Sequence, residues 1–187
     1  QVFLNMFDDE EGVWFGSENK IYRYLYKDNS FSLFKEITEP KPFLFQNICE
    51  LDSSTLLCAS HGGIILIDKK SGEVSNPLSD KNKAVSAMTV DSKGRIWLAS
   101  YNKGIEVFNR SGELIRNYCI ENSELSNNVV LCMEERNSEI WAGTDGGGIN
   151  IINLEKDRIS DLRHISGDVS SFPAHSIKSI YVDHYGN

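Results

Sequence analysis

At 187 residues, 40% hydrophobic and 25% charged, with a net charge of -8, the chain has the composition of an ordinary soluble globular protein with room for one good core. The acidic balance and the lack of a Lys/Arg cluster argue against nucleic acid as a partner, because phosphate neutralisation needs a concentrated basic face. No run approaches the roughly 18 apolar residues of a membrane span, so no direct membrane insertion is expected, and no signal-peptide pattern opens the chain.

Gln1-Val2-Phe3-Leu4 already reads as the inside of a strand, so the natural N-terminus is expected upstream. Val2 to Asp9 alternates between apolar and polar residues and ends in acids, and alternation with period two is a strand signature. Val13-Trp14-Phe15-Gly16 makes a second strand, Ile21-Tyr22-Arg23-Tyr24 a third beyond a turn, and Phe31 to Lys35 a fourth. The order then returns. Asn47 to Asp52, Leu56 to Ser60, Ile64 to Ile67 and Glu73-Val74-Ser75 form a second unit, with Leu57 where the first has Trp14. Val85 to Asp91, Ile96 to Ser100, Ile105 to Phe108 and Leu114 to Tyr118 form a third, centred on Trp97. Val129 to Glu135, Ile140 to Thr144, Ile149 to Ile152 and Ile159 to Arg163 form a fourth, centred on Trp141. A fifth opening, Ile177 to Asp183, closes the sequence.

The acids Asp9, Asp52, Asp91, Glu135 and Asp183 stand 43, 39, 44 and 48 residues apart. Self-similarity at about 40 to 50 residues, with four short strands per unit, describes propeller blades. The tight turn after each acid, clearest in Asp91-Ser92-Lys93-Gly94, is built by Asp bonding the backbone two residues on. The fourth strands are the most polar, as an outermost strand with a free edge should be. The expected fold is therefore all-β: a β-propeller fragment of four four-stranded antiparallel blades, at about 1–37, 46–79, 84–120 and 128–165, plus the first strand of a fifth at 176–187. The fragment reads as part of a larger propeller.

Cys49, Cys58, Cys119 and Cys132 lack CxxC spacing and a His partner at zinc-finger distance, so no metal site is expected and each is read as a small buried hydrophobe. A two-residue turn at Ser53-Ser54 would set Cys49 opposite Cys58, within reach of a disulfide.

Asn128-Val129, Asp91 to Trp97, Ile140-Trp141-Ala142-Gly143-Thr144 and Asp145-Gly146-Gly147-Gly148-Ile149 resemble the two-component regulator propeller repeat. That repeat reads as Asn-x-Val, then Asp-x-x-Gly-x-Ile-Trp-x-Gly-Thr, then a glycine turn and an Ile/Leu-rich strand. The resemblance runs through nearly the whole chain, with Leu57, Thr55 and Glu135 as departures. It implies a periplasmic sensor ectodomain of a hybrid two-component system histidine kinase, anchored in the inner membrane. It further implies an oligosaccharide ligand, further blades and sensor domains in the parent chain, and a homodimer. No cofactor is implied.

In a propeller, the turns between second and third strands gather on one face with the links between blades, and binding residues sit on such loops. Here that face carries Asn19, His61, Tyr101, Asn102 and Asp145 from the turns, and Phe43, Phe45, Asn127, Asn128, Phe172 and His175 from the links. Aromatic faces with Asn, Asp and His donors and acceptors suit a sugar. Asn127 and Asn128 read equally well as caps on local backbone, and Asp145 as a turn former. The three tryptophans, in the middle of apolar strands, are assigned to packing between blades. The histidines are scattered and no nucleophile, base and acid share a motif, so the segment is read as non-catalytic. A protein-interaction or dimerisation propeller without a sugar ligand is the alternative.

Overall fold

The structure, a computed structural model, describes residues 5–38, 44–60, 63–76, 78 and 85–183. Phe43, His61, the turn after Asp183 and the first residues of the chain lie outside them. Among the described residues there are sixteen strands and no helix. They form four sheets, each an antiparallel meander whose strands pair in sequence order. β1 (Asn5–Asp9), β2 (Gly12–Ser17), β3 (Lys20–Leu25) and β4 (Ser30–Glu36) make the first blade; β5 (Phe45–Asp52), β6 (Thr55–Ser60), β7 (Gly63–Asp68) and β8 (Val74–Ser75) the second. β9 (Val85–Val90), β10 (Ile96–Ser100), β11 (Gly104–Phe108) and β12 (Leu114–Tyr118) make the third; β13 (Val130–Arg136), β14 (Glu139–Thr144), β15 (Ile149–Asn153) and β16 (Arg158–Leu162) the fourth. The chain divides into two compact units, Gln1–Val85 and Ser86–Asn187, each with its own core.

In the first unit the core comes from two facing sheets: Trp14 and Ile21 of the first blade meet Ile48, Leu56, Cys58, Ile65 and Ile67 of the second. In the other unit Trp97, Val107 and Tyr118 meet Met133, Ile140, Ala142 and Ile152. Close approach is built into the repeat. A Cβ on Gly16 would stand 2.9 Å from the Phe45 Cβ, and one on Gly143 would stand 2.8 Å from the Ile177 Cβ. A small residue two positions after Trp therefore lets the next link press onto β2 or β14.

The acid at each hairpin does more than form the turn. Asp91 Oδ1 accepts the backbone N–H of Lys93 at 3.0 Å and of Arg95 at 2.9 Å, while Oδ2 accepts the Trp97 indole N–H at 2.7 Å and Arg95 Nε at 2.6 Å. Asp9 repeats this with Glu11 N, Gly12 N and, at 2.7 Å, Trp14 Nε1. The carboxylate thus satisfies the one polar atom of a fully buried indole. Where Glu135 replaces Asp, the longer side chain instead accepts Ser92 N and Ser92 Oγ from the preceding blade. In the first unit Lys69 links blades by donating to both Asp9 and Glu50.

Four expectations change. A bulge between Glu50 and Asp52 pairs Cys49 with Leu57 and Cys58 with Ile48, so the cysteines are not opposite each other and form no disulfide. A one-residue shift moves side chains to the other face of a strand: Cys58 is fully buried and Cys49 half-buried. Cys119 and Cys132 are likewise only half-buried. Trp141, unlike Trp14 and Trp97, is also half-buried, because the described residues include no further sheet against its side of β14. Finally, Ile177 to Asp183 forms no strand; only a bridge between Asp145 and Ser176 starts there. An opening strand is held by the second strand of its own hairpin, and the described residues include none for it.

Candidate functional site

The structure brings part of the expected binding face together at the β14–β15 turn. Thr144 Oγ1 donates to the Gly148 carbonyl at 2.9 Å and accepts Gly147 N at 3.1 Å, closing the turn from inside. Gly148 has φ +72, and a Cβ there would fall 2.1 Å from the Leu162 carbonyl oxygen, so only glycine fits. Gly104, at the same place in the third blade, has φ +77 and the same 2.1 Å conflict with the Tyr118 carbonyl.

The link 165–176 folds onto this turn. Gly146 N and Gly148 N donate to the His175 carbonyl at 3.1 and 2.8 Å, and Ser176 Oγ donates to Asp145 Oδ1 at 2.6 Å. Asn127 Nδ2 donates to the Asp145 carbonyl at 2.7 Å from the other side. The link itself turns at Asp168, which accepts Ser170 Oγ and Ser170 N; those bonds hold its carboxyl below the usual carboxylate value. The His175 ring meets the His164 ring edge to face, with centroids 4.5 Å apart, and His164 Nδ1 is buried without a hydrogen-bond partner. The exposed tip therefore offers a carboxylate, an imidazole and an amide within one small area.

Asp145, His175 and Asn127 are thus neighbours, and Phe172 lies half-buried on the same link. Asn128 is buried against the end of the third blade, its Oδ1 accepting Ile120 N at 2.9 Å and its carbonyl accepting Gly104 N at 3.0 Å. Tyr101 is 71% exposed and Asn102 sits beside it with φ 59, so both project from the β10–β11 turn. Asn19 binds the link that follows its own blade: Nδ2 donates to the Ile37 carbonyl at 3.1 Å and the Asn19 carbonyl accepts Ile37 N at 2.7 Å. Phe45 is a correction. It is fully buried in the first unit's core against Gly16, because the start of β5 faces the preceding blade and not solvent. His61 and Phe43 lie outside the described residues.

Sequence reasoning missed His164, Ser126 and Ser176. One signal was present: Asn150 interrupts the apolar run Ile149 to Ile152. It is fully buried, accepting Ser126 N at 2.9 Å and donating to Ser126 Oγ at 2.7 Å, while Ser126 Oγ donates to the Gly147 carbonyl. That polar residue pins the link before the fourth blade to the glycine turn.

Residues 79–102, which run through β9 and β10, match the two component regulator propeller family. No curated protein matches the sequence. Among solved structures, the fold is similar to the extracellular domain of BT4673 from B. thetaiotaomicron, assigned to a one component or hybrid two component system, with a TM-score of 0.73 and 16% identity over 98% of this chain. It is similar also to the extracellular domain of the hybrid two component system BT3049 of the same organism, with a TM-score of 0.70 and 16% identity over 99% of this chain. The chain spans 25% and 26% of the length of those two ectodomains. Virginiamycin B lyase from Staphylococcus aureus shares the architecture at a TM-score of 0.65 and 20% identity, over 83% of this chain and 53% of the lyase. The fold is therefore that of β-propeller blades, and residues 79–102 match a two component regulator propeller repeat.

Proposed function

We propose that the chain is part of an extracytoplasmic, ligand-sensing propeller in a hybrid two-component signalling protein. It belongs in the periplasm, beside further blades and sensor domains of a parent that dimerises and relays occupancy to a kinase. The ligand is an oligosaccharide, recognised by the turn-and-link face. The observation that carries this reading is the cluster of Asp145, Asn127 and His175 at one exposed tip. Its hydrogen-bonding groups lie close together, as recognition of neighbouring hydroxyls requires. Tyr101 and Phe172 supply aromatic surface on the same ends of the strands. A ligand there would act by binding two arrangements of the parent with different affinity, which is what a shift in equilibrium requires. The reading keeps the chain non-catalytic, since its likeness to the lyase is one of fold.

Calorimetry against a panel of oligosaccharides tests this. Heat with one glycan that disappears in Asp145→Ala supports it; no heat with any glycan overturns it. A second reading, a protein-interaction or dimerisation propeller with no sugar ligand, is favoured by Met6, Phe31 and Leu33, which are 67%, 52% and 50% exposed on the first blade. Sedimentation of wild type beside Phe31→Ser separates the two, because only an interaction surface would lose self-association.

A further inference from the structure

The fold gathers arginines that the sequence scatters. Residues 84–120 hold five Lys/Arg against three acids within a chain of net charge -8, and three of those cations converge at the hairpin end of the third blade. Arg95 spends its Nε on Asp91, while its Nη2 is buried without a hydrogen-bond partner. The Arg110 guanidinium lies over Gly94, with Nη2 2.6 Å from where a Cβ would stand. Arg116 pairs with Asp157 of the fourth blade, and the Tyr118 hydroxyl donates to the same carboxylate at 2.6 Å.

Between the two blades Arg95, Arg116, Tyr118 and Asp157 border a half-open groove of about 190 Å³, with Arg110 outside its lining. Arg95, Arg116, Asn153 and Asp157 form its polar rim, and Trp97 and Leu154 contribute to an apolar floor. Asn153 Oδ1 accepts Glu155 N and Lys156 N, leaving its Nδ2 as a donor. The volume equals roughly six waters at about 30 Å³ each, the size of one small ring.

We propose that this groove binds a small monocarboxylate with a flat apolar body. A guanidinium is a planar fork of five donors suited to the two oxygens of a carboxylate, and Arg95 and Arg116 each have donors beyond those their acids engage. Asp157 on the rim opposes a second negative charge, which favours a monoanion over a phosphate dianion. The groove lies at the opposite end of the strands from Asp145 and His175, so it stands or falls apart from the oligosaccharide reading.

The test titrates benzoate, benzamide and inorganic phosphate into the 187-residue chain, following the Trp97 and Leu154 resonances by NMR. Benzoate is expected to shift both, with benzamide and phosphate each roughly tenfold weaker or worse. Arg116→Gln is expected to weaken benzoate by roughly tenfold with the melting temperature unchanged, because Arg116 and Asp157 form a mostly exposed pair. Equal binding of benzoate and benzamide, preference for phosphate, undiminished binding in Arg116→Gln, or no shift at Trp97 would each overturn the proposal.

Discussion

Asp91 shows how much of this fold hangs on single carboxylates. Its side chain is wholly inaccessible and accepts four hydrogen bonds, one from a buried indole. Asp91→Ala would leave Trp97 Nε1 and two hairpin amides unpaired, at a cost of about 3 kcal/mol, measurable by urea denaturation. Asp91→Asn keeps an acceptor for one of these groups and should cost less. Asp9 gives a pH prediction. Burial raises its carboxyl, but hydrogen bonds from Trp14 and Lys69 outweigh this and hold it below the ordinary 3.8. A carboxyl lowered in the folded state contributes stability above 3.8 and loses it as pH falls through the folded value. Lys69, held above 10.5 by Glu50 and Asp9 against the opposing effect of burial, loses its contribution only in strong base. The first unit should therefore weaken in acid below the ordinary carboxylate value, and Asp9→Asn should flatten that dependence in stability measured across pH.

At the scale of the strand and turn, the repeat constrains glycine position more tightly than composition. Gly148→Ala puts a Cβ into the Leu162 carbonyl at a left-handed backbone, so a loss of more than about 1 kcal/mol is expected. Because Gly148 N also holds the His175 carbonyl, the same variant should change the amide signals of the 165–176 link, which NMR would read. Burial follows strand rank. β10 is buried along its whole length, whereas β12 and β16 are exposed at most positions. Hydrogen exchange should accordingly leave β6 and β10 labelled last and the outer strands first.

At the scale of the whole molecule, four blades were legible because alternation, hairpin acids and Trp spacing recur in register, and a repeat read four times averages out local ambiguity. The Asp-to-backbone turns followed from residue type, and the core role of Trp14 and Trp97 from their place in the middle of apolar strands. Asn19 and Asn102 were placed in the right turns by the same register. What the sequence could not carry was anything decided between strands distant along the chain. A bulge inside the β5–β6 hairpin separated Cys49 from Cys58, packing of the start of β5 against Gly16 buried Phe45, and a ten-residue loop set His164 against His175. The arginine-lined groove likewise exists only where the third blade meets the turn after β15. Periodicity is a local property, encoded in neighbouring residues, so sequence determined the blades. Register shifts, burial and converging charges depend on which blade face meets which link, and tertiary packing alone decided those.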